Sequence, residues 1–170
     1  MRRLPRSEVS VDDAASRASA FVYGNVLVLA ALIALGPENL SGPHGVLYIV
    51  GTAVSTFVAH LLGESVAGRI RHPGAPPARE EVRVHVRNAR PIASSATAPA
   101  LFLAAAWAGW LDSPTAWVLA QAATLGRLAL LGAAVARWRG ERSPLRVVVA
   151  GIVLAAVVAL VSVLKFVLTH

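Results

Sequence analysis

The chain contains no cysteine, so disulfides, thiolate metal sites and cysteine nucleophiles are excluded. Charged residues make up only 15 % of it. Familiar catalytic signatures are also missing: there is no Walker-type phosphate loop, no Gly-x-Ser-x-Gly elbow and no His-Glu-x-x-His zinc helix. The sequence therefore argues against an enzyme, and it implies no cofactor and no metal site.

Apolar residues are in excess, at 56 % of the chain with a mean hydropathy of +0.62. A chain of 170 residues with this composition has more apolar surface than one small core can bury, and bilayer lipid is the natural solvent for the surplus. Five apolar runs, each near the ~20 residues that cross a ~30 Å hydrocarbon core, predict an all-α integral membrane helical bundle. The five predicted transmembrane helices are residues 18–36, 45–65, 92–111, 115–136 and 146–166.

The basic residues predict the orientation of this bundle. A net charge of +7 would suggest nucleic-acid binding in a soluble protein, but the positions of the charges argue against a nucleic-acid partner. Fourteen of the sixteen basic residues fall into three clusters between apolar runs: Arg2 to Arg17, Arg69 to Arg90 and Arg137 to Arg146. Cytoplasmic loops carry such clusters, so the N-terminus is predicted to be cytoplasmic and the C-terminus external.

The predicted orientation also assigns a side of the membrane to the segments between the spans. Residues 1–17 form a cytoplasmic tail, predicted to be mostly disordered, and residues 66–91 form a basic cytoplasmic loop. The third span is diluted by Pro91 and Pro99, yet without it the last arginine cluster would lie outside, against the positive-inside rule. The preference for arginine over lysine and the abundant alanine are typical of a GC-rich bacterium, whose plasma membrane is the predicted location.

The loop segment from 79 to 90 has two periodicities. As a helix it aligns four arginines beside Val82 and Val86, and as a strand it alternates valines with charged residues. The helix is favoured because a lone strand needs a partner. Its stripe predicts contact with anionic lipid headgroups, and an ordinary solvated loop is the alternative. The stripe consists of Arg79, Arg83, Arg87 and Arg90.

Polar residues inside the predicted spans are costly in hydrocarbon and are the functional leads of this sequence. Depth matching predicts a polar cluster in the inner half of the bundle, with Arg127 paired to Glu64, His60 or Asn25. Alternatively, these side chains are satisfied within their own helices or at the interface. The predicted cluster contains Asn25, Thr56, His60, Glu64, Gln121, Thr124 and Arg127.

The sequence favours a non-enzymatic accessory or structural membrane component, whose molecular activity it does not assign. The alternative is a small ion or proton conduit that uses His60, Glu64 and Arg127. The predicted partner is the lipid bilayer, with its anionic headgroups at the cytoplasmic face. A ridge of small residues in the fifth span, Gly151, Ala155 and Ala159, permits close packing within the chain or against a second copy or another membrane protein.

Overall fold

The computed structural model describes residues 11–40, 42–71 and 79–138, together with the single positions 149, 153 and 156. These residues form helices, and no strand occurs among them, in agreement with the predicted all-α class. The helices are α1 (Val11–Leu35), α2 (His44–Arg71), α3 (Arg79–Ser95), α4 (Thr97–Trp107) and α5 (Ser113–Trp138), with a short 3-10 helix at Pro37–Asn39.

The first two predicted spans lie inside longer helices. α1 begins at Val11 rather than near residue 18, so the prediction of a mostly disordered tail is wrong for residues 11–17. Asp12 and Asp13 stand in the first turn of α1, where carboxylates complement the positive end of the helix dipole. α2 likewise continues past residue 65 to Arg71. Both α1 and α2 are long and apolar enough to cross a membrane, by length and composition alone.

The third predicted span, residues 92–111, is not one helix. Its first residues belong to α3, which is a helix rather than the alternative strand. The helix is interrupted at Ala96, before α4 begins. Pro99 accounts for the break, because it lacks the N–H that would bond the carbonyl of Ser95 and its ring crowds that carbonyl. The fourth predicted span corresponds to α5, whereas the fifth, residues 146–166, lies almost entirely outside the described residues.

α1 lies at the centre of the described bundle and packs against α2, α3 and α5, while α5 also packs against α4. The first turns of α1 and α3 and the last turns of α2 form what we call the basic end. The opposite end holds the 3-10 helix and the α4–α5 turn. Alanine occupies seven of the fifteen buried apolar positions among the described residues: Ala20, Ala31, Ala53, Ala89, Ala96, Ala116 and Ala120.

α1 and α3 approach each other closely at Gly24. A Cβ atom on Gly24 would lie 2.8 Å from the Cα of Ile92 and 3.2 Å from the Oγ of Ser95. α1 and α3 run in the same direction. Ala20 lies one turn before Gly24 in α1 and packs with Ala89 and Ile92 of α3, so residue numbers fall toward the basic end in both helices. Glycine at position 24 therefore sets the distance between the two backbones.

We expect Gly24→Ala to lower the free energy of unfolding by about 1–3 kcal/mol relative to Gly51→Ala, because the new methyl group overpacks against the α3 backbone. Gly51 is the matched control, since a Cβ there meets no atom within 4 Å. Both changes gain the same helix propensity, so their difference isolates the clash. Unfolding in mixed detergent would measure it, and equal stability of the two variants would contradict the close approach.

The N-terminus of α5 is capped by Asp112 at the end opposite to the basic end. The backbone N–H of Thr115 donates to the Asp112 carboxylate at 2.9 Å, and the Asp112 carbonyl accepts from the N–H of Ala116 at 3.0 Å. The backbone and then the hydroxyl of Thr115 hold the pKa of Asp112 below its ordinary value. A carboxylate acceptor also complements the helix dipole at this position.

Because the pKa of Asp112 is lower in the folded chain, its stabilising effect is full above the unfolded-state pKa of ~3.9 and is lost as pH falls through the folded value. We therefore expect Asp112→Ala to melt at a lower temperature than the parent chain at neutral pH, with the gap narrowing in acid. Asp112→Asn is the control, since its amide caps without titrating. A gap that stays constant with pH for the alanine variant would contradict this assignment.

Candidate functional site

A polar network joins α1 to α3 at the basic end. The Nδ2 of Asn88 donates to Asp13 Oδ1 at 2.8 Å, and the Nε of Arg17 donates to Asn88 Oδ1 at 3.0 Å. Arg87 completes the network with an ion pair from Nη2 to Asp13 Oδ2 at 3.0 Å. Asn88 is only 5 % exposed, so both polar ends of its amide are satisfied where water has little access. The network fixes the start of α1 against α3.

Glu64 and His60 lie on the other side of α1, between α1 and α2. A groove of about 380 Å³ opens there, lined on α1 by Ser19 and Tyr23 and on α2 by His60 and Glu64. Glu64 also approaches α3, where its carboxylate lies 3.8 Å from the Nε2 of His85. The groove therefore brings a carboxylate, an imidazole and two hydroxyls to one place.

Arg127 is positioned by the end of α3, and its hydrogen-bond partner among the described residues is Ser94 rather than the predicted Glu64, His60 or Asn25. Its Nη1 donates to the carbonyl of Ser94 at 2.7 Å and its Nη2 to the Oγ of Ser94 at 3.2 Å. The guanidinium also lies over the ring of Phe21, 5.3 Å from its centroid. Ser94 is in the last turn of α3, whose carbonyls lack intrahelical donors and carry negative partial charge. The helix end thus stabilises the cation without a carboxylate.

The other members of the predicted cluster lie on three helices, α1, α2 and α5. Asn25 and Thr124 are fully buried, and each donates to a carbonyl one turn back in its own helix, at 2.7 Å and 2.8 Å. The Oδ1 of Asn25 accepts no hydrogen bond from the described residues. Thr56 is buried in α2, and Gln121 is half-buried in α5. α2 packs on α1, α3 and α4, and α5 packs on α1 and α4, so convergence of the polar faces of the second and fourth spans stays a prediction.

The four arginines of the predicted lipid stripe have different surroundings. Arg87 is held by Asp13, and Arg83 lies 3.6 Å from Glu80 in an exposed pair one turn apart. Arg79 and Arg90 are exposed. Contact of this stripe with anionic headgroups stays a prediction.

Sequence reasoning missed Asp13, Arg17, Asn88 and Ser94 as partners. The first two were assigned to a disordered tail, although the acidic pair ahead of an apolar run is a usual helix-start signal. Nothing in the sequence pairs position 13 with position 88, because that contact depends on α1 and α3 running parallel. Among the residues that the structure describes, no group of three or more histidine or acidic side chains is arranged to hold a metal ion.

Comparison with known proteins adds no further constraint. No protein family matches the chain, and neither a curated protein nor a solved structure is significantly similar to it. The functional argument therefore rests on the geometry of the chain itself.

A double-mutant cycle tests the network at the basic end. We expect Asp13→Ala and Asn88→Ala to be coupled by about 0.5–3 kcal/mol, because each change strands the polar partner of the other. The matched control is the pair Glu80→Ala and Arg83→Ala, whose side chains are 73 % and 81 % exposed. Its coupling should be at most about 0.5 kcal/mol. Additive effects for Asp13 and Asn88 in the measured unfolding free energies would mean that the network does not form.

Proposed function

We propose that this chain is a multi-pass integral membrane protein with five transmembrane helices, acting as a non-enzymatic accessory or structural component of the plasma membrane. The observation that carries the proposal is the exposure of large apolar side chains on several of the described helices. A soluble domain seldom exposes such side chains as a continuous surface, whereas helices in lipid turn them outward.

The outer face of α2 supports this most directly. An unbroken stripe of large apolar side chains runs along the helix at steps of three or four residues: Leu47, Val50, Val54, Val58, Leu62, Val66 and Ile70. From the first to the last of these, α2 rises about 35 Å at ~1.5 Å per residue, somewhat more than the ~30 Å hydrocarbon core of a bilayer. Exposing such a stripe to water would be strongly unfavourable. Lipid is the solvent that suits it.

The polar groups support the same proposal. Asn25, Thr52 and Thr124 donate to carbonyls of their own helices, which is how membrane helices satisfy isolated polar side chains. Exposed aromatics, Trp107 and Trp110, stand at the end opposite to the basic end, as interfacial residues do. With the basic end in the cytoplasm, the bundle obeys the positive-inside rule.

We do not propose the alternative of an ion or proton conduit. Such a conduit needs the polar faces of the second and fourth spans to meet around water. Among the described residues, Arg127 is bonded to Ser94 and its helix packs on α1 and α4 rather than on α2.

Integration and orientation are testable together. The protein should stay in the membrane fraction after alkaline carbonate extraction. Reporter fusions after His44 and Asp112 should give external signals, and a fusion after Pro77 a cytoplasmic one, because the arginine clusters are retained inside. Release by carbonate would overturn the membrane assignment, and an external signal at Pro77 would overturn the orientation alone.

A further inference from the structure

Two adjoining grooves run along α1. The first, which we call the polar groove, is the space of about 380 Å³ between α1 and α2. The second, which we call the apolar groove, is a space of about 570 Å³ on the surface of α1; its lining among the described residues comes from α1 alone and includes Val22 and Val26. Both grooves are lined by Ser19 and Tyr23, so they form one continuous surface.

The polarity of this surface changes along the helix axis. Glu64 and Ser19 lie nearest the basic end, whereas Val26 lies about 10 Å further into the bundle, at ~1.5 Å per residue from Ser19. A phospholipid of the leaflet at the basic end has the same arrangement, with a polar headgroup at the membrane surface and acyl chains directed inward. The polarity of this surface thus matches one lipid molecule in one orientation.

We propose that the polar groove binds the headgroup of a phospholipid bearing a primary ammonium, phosphatidylethanolamine, with an acyl chain in the apolar groove. The inference rests on the proposed insertion of the chain in a membrane. Charge complementarity selects the headgroup: Glu64 contributes a carboxylate, and Ser19 and Tyr23 contribute hydroxyl oxygens. An ammonium group offers three donors to such acceptors, whereas the trimethylated headgroup of phosphatidylcholine offers none.

The contact between Glu64 and His85 is compatible with this headgroup. A carboxylate has about four lone-pair sites, so it accepts from several donors at once. Its side chain remains 35 % exposed beside His85. Small residues make room for the ligand, because a Cβ on Gly63 would meet no atom within 4 Å. Within the described part of the chain, no neighbouring helix fills the groove at Gly63.

The test is lipid retention by the full chain after purification from bilayers of equal phosphatidylethanolamine and phosphatidylcholine, read by native mass spectrometry. The parent chain should retain phosphatidylethanolamine about tenfold over phosphatidylcholine, the expected effect of one charge-assisted hydrogen bond. Gly63→Leu fills the polar groove and should abolish the preference. Gly51→Leu makes the same change on the same helix at another open position and should retain it.

A second variant keeps the test decisive if the leucine perturbs folding. Glu64→Gln preserves shape but removes the charge, so it should reduce the preference towards equal retention. Equal retention by the parent chain, or a preference that survives in Gly63→Leu, would overturn the lipid site. These outcomes are separate from release by carbonate, which would overturn membrane insertion itself.

Discussion

At Gly24 the backbones of α1 and α3 approach so closely that no side chain fits between them. The parallel course of the two helices follows from this contact together with the packing of Ala20 against Ala89. It also brings the first turns of both helices together, which lets Asp13 reach Asn88 and Arg87. One small residue thus determines which charges at the basic end can pair.

The end of α3 provides the acceptors that the guanidinium of Arg127 needs in an apolar bundle. A guanidinium stays protonated, so it needs acceptors wherever it lies. The end of α3 supplies the Ser94 carbonyl and hydroxyl, and Phe21 supplies a ring face. Pro99, which appeared in the sequence only as a weakness of the third span, creates the helix end that the arginine uses.

Local signals predicted where most of the described helices lie. Apolar runs predicted α1, α2 and α5, and most ends of these helices lie within a few residues of the predicted bounds. The spacing of Arg79, Arg83, Arg87 and Arg90 correctly favoured a helix for the loop segment. Such local signals did not show which side chains of different helices bond to each other. Depth matching placed Arg127 beside His60, but depth does not say which helices are neighbours, and here α1 and α4 are the ones that pack against α5. The same limit hid the pairing of Asp13 with Asn88.

Small residues have two opposite consequences in this bundle, and the difference depends on what lies opposite them. Gly24 faces the backbone of Ile92, so its missing side chain becomes a tight helix contact. Gly63 faces open space, so its missing side chain becomes the floor of a groove beside Glu64. Composition alone cannot distinguish the two cases, because both read as a glycine in an apolar run. Since the gap at Gly63 adjoins the carboxylate of Glu64, the open glycine is the one on which the proposed lipid site depends.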